Sequence, residues 1–321
     1  SVADAGLSAY MEYSYAVFTQ DVAGNVRVPA VTVTARTASV SGAVQRVSTD
    51  STSAQSNGSS EGAAWSPDGT RVAFYSEASN LVPGDTNDAA DVFVKTLATG
   101  AIERVSTTSA GVQANGATED RPAWSPDGTR IAFASQASNL VPNDTNGAGD
   151  IFVKTLSTGA IERVSTNAQG STGNAAGTRS LGPAWSPDGT RIAFYSALPA
   201  LVPGDTNNSG DVFVKTLSSG AIQRISTNSV GTQSQGASPR YANSPTSWSY
   251  DGLQVAFESE ATDLVTGDTN GSRDVFVKTL ATGAIQRVST DSNGTQANGD
   301  SNQPEFSPAD GTIAFRSDAS N

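Results

Sequence analysis

The 321-residue chain has no histidine and no cysteine. Without histidine there is no Ser-His-Asp triad and no imidazole general base. Without cysteine there is no thiol nucleophile, no disulfide and no structural zinc site. Any chemistry must therefore run on carboxylates, lysine, tyrosine or a hard metal ion. Basic residues are scarce as well: 19 Lys and Arg stand against 31 Asp and Glu, for a net charge of −12. The four lysines lie far apart in the chain, so nucleic acid is not an expected partner, because phosphate binding needs clustered positive charge. No apolar run is long enough for a membrane span.

What is present is repetition. Ala-Trp-Ser-Pro-Asp-Gly-Thr-Arg recurs around Trp65, Trp124 and Trp185 and degenerates around Trp248 and Phe306, a period of about 60 residues. Asp-Val/Ile-Phe-Val-Lys-Thr-Leu starts at Asp91, Asp150, Asp211 and Asp274, and Gly-Ala-Ile-Glu/Gln-Arg-Val/Ile-Ser-Thr follows each. Every unit reads as four short strands. The first runs into Trp65, Ser66-Pro67-Asp68-Gly69 forms a tight turn, and the second is 71–76. The third is expected at 92–97 and the fourth at 101–106. Short strands rich in Val, Ile, Phe and Thr, with no amphipathic helix between them, exclude an α/β fold. Four-stranded units repeated about an axis describe an all-β protein, a β-propeller of about five blades. The repeated aromatics are expected to be core between blades.

Ser-Pro-Asp-Gly-Thr-Arg-Ile-Ala-Phe followed by Asp-Ile-Phe-Val-Lys-Thr-Leu resembles the repeat of bacterial TolB-like β-propellers. Ser76–Asn87 looks like a subgroup found in large secreted and surface proteins. The resemblance covers residues 43–321 and implies fold far more than function. Before it, residues 1–37 resemble the C-terminal part of a fibronectin type III domain, a partial β-sandwich, with Leu7 and Tyr13 spaced as in that family's tyrosine corner. The expected division is thus 1–37 and 38–321, the latter with an incomplete last repeat. Ala43–Thr49 reads as an isolated fourth strand, and the chain reads as a window on a longer array. Unpaired strand edges would otherwise serve as sockets for self-association.

The chemical candidates lie in the connections between second and third strands. These place Asp85, Asn87 and Asp91 in the first unit, and Asp144, Asn146 and Asp150 in the second. Asp205, Asn207 and Asp211, then Asp268, Asn270 and Asp274, follow in the third and fourth. Oxygen ligands at relative positions 1, 3 and 7 suit Ca²⁺, with backbone carbonyls and water completing the shell. A plain Asx-turn needing no metal is the alternative. If the metal binds, the acidity of the chain is a metal-loading signature. A second phrase, Gln-Ala-Asn-Gly and its variants at Gln55, Gln113, Gln233 and Gln296, reads as amides satisfying loop backbone. Lys95, Lys154, Lys215 and Lys278, with Arg104, Arg163, Arg224 and Arg287, are expected to form ion pairs on blade surfaces. Glu119, Asp120 and Glu258 are unrepeated carboxylates able in principle to act as a glycosidase acid and base.

The sequence reading is a non-enzymatic, secreted or bacterial cell-surface module. It would serve as scaffold or adhesion unit toward a protein or glycan partner, stabilised by Ca²⁺. A carbohydrate-binding or carbohydrate-degrading propeller and a self-assembling filament subunit are the alternatives, with Arg240 and Tyr241 as the residues that would hold a glycan.

Overall fold

The structure, a computed structural model, describes residues 12–20, 26–36, 45–172, 176–236 and 246–321. The chain divides into two compact units, Ser1–Arg46 and Val47–Asn321. In the first, β1 (Glu12–Gln20) and β2 (Val26–Arg36) pair antiparallel with an irregularity between Val17 and Thr19. Leu7, Arg240 and Tyr241 lie outside the described residues.

The second unit is built of antiparallel sheets in chain order. Blade 1 holds β3 (Ser60–Trp65), β4 (Arg71–Ser76), β5 (Asp91–Thr96) and β6 (Ile102–Arg104). Blade 2 holds β7 (Ala123–Trp124), β8 (Arg130–Ser135), β9 (Asp150–Thr155) and β10 (Ile161–Arg163). Blade 3 holds β11 (Ser180–Trp185), β12 (Arg191–Ser196), β13 (Asp211–Thr216) and β14 (Ile222–Arg224). Blade 4 holds β15 (Ser247–Trp248), β16 (Gln254–Ser259), β17 (Asp274–Thr279) and β18 (Ile285–Arg287). Blade 5 contributes β19 (Ser301–Phe306) and β20 (Ile313–Ser317). The first strands of all five blades line one cavity, which is the radial arrangement of a β-propeller. No helix occurs among the described residues. Third strands begin one residue earlier than the sequence pattern suggests, and fourth strands keep only three ladder residues.

The repeated phrases are mostly spent on joining blades. In each complete blade, a phenylalanine of the second strand faces one of the third, as in Phe194 and Phe213 with ring centres 5.9 Å apart. The tight turn is held by Asp68, whose Oδ1 accepts from Ser66 Oγ at 2.6 Å and from the Thr70 N–H at 3.0 Å. Gly69 takes the left-handed conformation there (φ 68°) that a Cβ would oppose. The arginine closing the phrase reaches the next blade. Arg71 lies 4.6 Å from the Trp124 ring centre and donates to the Gly128 carbonyl at 2.7 Å. Trp124 Nε1 in turn donates back to the Ala64 carbonyl at 3.0 Å. Arg130 with Trp185 and Arg191 with Trp248 repeat this clasp. One motif thus supplies a hairpin, a cation–π contact and two inter-blade hydrogen bonds.

The lysines correct the sequence reading. They are not surface ion-pair partners: Lys95, Lys154, Lys215 and Lys278 are all buried, the last only 1 % exposed. Each ammonium is a cap on the connector that precedes its blade. Lys278 Nζ donates to the Thr227 carbonyl at 2.7 Å, Thr227 Oγ1 at 2.9 Å and the Asn228 carbonyl at 2.9 Å. A connector leaves carbonyls without ladder partners, and an ammonium with three donors satisfies them in one stroke. Val47 packs on Val72, Phe74 and Phe93, while Lys95 grips the Thr49 and Asp50 carbonyls. Residues 47–50 therefore hold the connector position before blade 1, rather than a free strand.

Two further departures concern exposure. Trp124, Trp185 and Trp248 are buried, but Trp65 is 63 % exposed, and among the described residues no arginine clasps it. On β20, Ala314 and Arg316 are exposed, whereas the corresponding second strands are nearly buried throughout, since among the described residues β20 pairs only with β19.

Candidate functional site

The four Asp-Thr-Asn loops bring their acids together, and the structure shows what fills the space between them. In blade 1, Gln113 Nε2 donates to Asp85 Oδ1 and to Asp91 Oδ2, both at 2.8 Å. Its Oε1 accepts from the Thr86 N–H at 3.2 Å and from Thr86 Oγ1 at 3.3 Å. Arg104 approaches Asp85 at 3.4 Å and Asp91 at 3.3 Å. The other Asp91 oxygen accepts from Ser106 Oγ at 2.5 Å. Gln233 and Arg224 do the same for Asp205 and Asp211, and Gln296 and Arg287 for Asp268 and Asp274. Burial pushes the carboxyls of Asp91, Asp150 and Asp211 up, against the opposing pull of their serine partners and arginines.

This donor set does not fit Ca²⁺. A hard cation needs six to eight oxygens turned inward, and here a guanidinium and an amide NH₂ occupy the position between the carboxylates. Asn87 is engaged in the turn itself: its Oδ1 accepts from the Ala89 N–H at 3.1 Å while its Nδ2 faces Asp91 and the Ala114 carbonyl. Asn207 and Asn270 make the same turn bond to Ser209 and Ser272, and Asn146 to Ala148. The arginines do form ion pairs, then, but with the acids assigned to the metal.

The second candidate is the cavity of about 670 Å³ lined by the first strands. Here the repeats stop matching. The positions three and two residues before four of the five aromatic anchors read Gly-Ala at 62–63, Arg-Pro at 121–122, Gly-Pro at 182–183 and Gln-Pro at 303–304. Each of β3, β11 and β19 carries an irregularity there, with Gly62, Gly182 and Gln303 left-handed. Gln303 holds φ 54° with a full side chain, a conformation glycine takes in the sister blades, and its N–H donates to Glu258 Oε2 at 3.1 Å. Asp120 is 4 % exposed and lines the cavity beside the exposed Arg121. It accepts from the Arg121 N–H at 2.7 Å and the Gly182 N–H at 2.6 Å. Desolvation outweighs these bonds and pushes its carboxyl up to about 6.

The three unrepeated carboxylates part company. Only Asp120 lines the cavity, joined there by Glu305. Glu119 is paired with Arg179 at 3.1 Å, and Glu258 with Arg273 at 3.6 Å. Glu305 and Gln303 were not singled out from sequence, although each interrupts the repeat, and Trp65 was expected to be core with the other repeated aromatics, whereas it is exposed.

No protein-family model and no curated protein matches the chain. Among solved structures, the fold is similar to a protein described as TolB from Agrobacterium tumefaciens, with a TM-score of 0.51 at 19 % identity over 82 % of this chain and 71 % of that one. It is also similar to a puromycin-hydrolysing peptidase of Mycobacterium tuberculosis, with a TM-score of 0.50 at 14 % identity over 80 % of this chain and 38 % of that one. TolB from Acinetobacter baumannii aligns at a TM-score of 0.45 and 20 % identity, over 83 % of this chain and 53 % of that one. The chain thus spans about half or less of two of these three proteins. The expectation of a non-enzyme is overturned, because a hydrolase carries this same fold.

Proposed function

We propose that the propeller is an interaction module that takes a segment of a protein partner at the mouth of the axial cavity. One observation carries this reading. Residues that repeat are consumed in packing and clasps, whereas Trp65, Asp120, Arg121, Gln303 and Glu305 break the repeat's pattern or its burial and meet around one cavity. Trp65 supplies an amphipathic anchor with much of its surface free. Arg121 and the acids supply charges of both signs for register. A cell-envelope or extracellular location rests on the resemblance to TolB-like repeats and on a surface rich in Asn, Ser and Thr.

A displayed peptide library panned on the 321-residue protein tests it. Selected peptides are expected to lose binding by at least about tenfold on Trp65→Ala and on Arg121→Glu, the loss of one anchor or charge pair. Peptides that bind both variants as well as the parent would refute the site.

A second reading, action on a glycan, is favoured by Asp120, a buried carboxyl poised near neutrality on a cavity that also holds Glu305. Release of reducing ends from a glycan panel, abolished by Asp120→Asn, would establish it.

A further inference from the structure

Trp124, Trp185 and Trp248 are covered in one and the same way. Arg71, Arg130 and Arg191 of the preceding blades lie 4.6, 4.4 and 4.8 Å from their ring centres. The same guanidiniums donate to the carbonyls of Gly128, Gly189 and Gly252 at 2.7, 2.7 and 2.8 Å. Each indole Nε1 returns a bond to the carbonyl of Ala64, Ala123 or Ala184 at 3.0 to 3.1 Å. The proline of the incoming turn completes the contact, since a Cβ at Gly128, Gly189 or Gly252 would stand 3.5 Å from Cδ of Pro67, Pro126 or Pro187. One Pro-Asp-Gly-Thr-Arg turn, with the carbonyl of the alanine two residues before its serine, is thus the cover for one tryptophan. Blade 1 carries the receiving half alone. Trp65 is 63 % exposed, and among the described residues no guanidinium lies over its ring and no acceptor meets its Nε1. A Cβ at Gly69 would meet no atom within 4 Å.

The chain has no turn left to supply the other half. The Pro-Asp-Gly-Thr-Arg turns of blades 1, 2 and 3 are engaged on blades 2, 3 and 4. Blade 4 has Tyr250 for the proline and Gln254 for the arginine, and the blade 5 turn runs from Thr312 directly into Ile313 with no arginine. A second copy of the chain is equally without a turn to lend. We infer that Trp65 and the Gly69 turn form a docking site for a Pro-Asp-Gly-Thr-Arg turn carried by a partner protein. The partner's arginine lies over the Trp65 ring and donates to the Gly69 carbonyl, its proline packs on Gly69, and a main-chain carbonyl accepts from Trp65 Nε1. Lysine is the poorer occupant, because a point charge on a flexible stem cannot lie flat on the ring while donating sideways to a carbonyl. The inference rests on reading the cavity mouth as a peptide site, and it gives the partner's chemistry at that mouth's aromatic anchor.

Titration of a cyclised Ala-Phe-Ser-Pro-Asp-Gly-Thr-Arg peptide into the 321-residue protein, followed by NMR of the indole N–H groups, tests the site. Cyclisation holds the turn in its bound form, and phenylalanine replaces tryptophan so that only the protein carries indoles. The Trp65 resonance is the one lost in Trp65→Phe. The arginine peptide is expected to move that resonance. A counterpart with glutamine in place of arginine should bind at least about tenfold more weakly, the loss of one ring-stacked, hydrogen-bonded guanidinium. Trp65→Ala, read by anisotropy of a labelled arginine peptide, should weaken binding by the same factor. The inference is overturned if no peptide moves the Trp65 resonance, or if the arginine and glutamine peptides bind alike. It is also overturned if the protein is a dimer that Trp65→Ala separates, since that would seat a second copy on the ring. Library peptides that depend on Trp65 but carry no arginine would overturn this inference and leave the cavity mouth a peptide site. Library peptides indifferent to both Trp65→Ala and Arg121→Glu would end that reading itself.

Discussion

Asp120 gives the sharpest quantitative handle on the axial site. Its carboxyl is raised from an ordinary 3.8 to about 6, chiefly by desolvation. That displacement corresponds to about 3 kcal/mol. Because the folded state holds the proton more tightly than the unfolded chain, the folded protein binds more protons between pH 4 and pH 6. Asp120 therefore contributes its full share of stability below pH 4, and that contribution is lost as the pH rises through 6. Above pH 7 the ionised, buried carboxylate costs the whole amount. Asp120→Asn removes the titration. It also removes one acceptor, since the two oxygens receive separate N–H groups from Arg121 and Gly182, at a pH-independent cost of about 1–2 kcal/mol. Urea denaturation of parent and variant at intervals from pH 4 to pH 8 separates the two effects. The variant should be the less stable protein at pH 4. It should then gain about 3 kcal/mol on the parent by pH 7.5, so that the curves converge or cross. Stability curves that stay parallel across this range would show that Asp120 is not held in a desolvated cavity wall, and the argument for a poised carboxyl would go with them.

Two other outcomes follow from the latches and the buried ammonium groups. Stripping the protein with chelator and restoring millimolar Ca²⁺ should shift the melting temperature by less than about 1 °C, because saturating even one folded-state site would add several kcal/mol; a rise of several degrees would contradict the arginine-filled loops. Burial lowers Lys154 and Lys215 against the opposing pull of Glu103 and Glu162, whereas Lys278 has Gln223 at that place and falls to about 8 through burial alone, so Gln223→Glu should raise it, read by NMR titration of the lysine ε-groups; an unmoved midpoint would refute this account.

The fold was legible because each repeat carries its own hairpin and strand signals, and because recurrence at a fixed interval permits few architectures. The candidate site was less so. Spacing alone revealed that Asp85 and Asp91 would meet, but not that Arg104 and Gln113 would arrive between them, since those residues come from the next strand and the next connector. The lysines were misjudged for a related reason. A charged residue alternating with Val and Phe looks solvent-facing, and only the connector carbonyls, 45 or more residues earlier in the chain, make burial tolerable. Trp65 shows the converse. Its local sequence matches that of Trp185 word for word, yet one is exposed and the other buried, because burial here is a property of the neighbouring blade.

These cases share a cause that also says where function should be sought. In a repeat array each unit's polar groups are satisfied by the unit beside it, so a residue's role is fixed by its neighbour's sequence as much as its own. A group that the neighbouring unit does not supply leaves an orphan. Trp65 shows this: among the described residues no neighbouring arginine clasps its ring, which is left exposed. The negative charge reads differently in this light. The eight loop aspartates meet four arginines and three glutamine amides within the fold, so the acidity does not measure bound metal. It marks a set of internal latches, with a glutamine amide beside the arginine in blades 1, 3 and 4 and the arginine alone in blade 2.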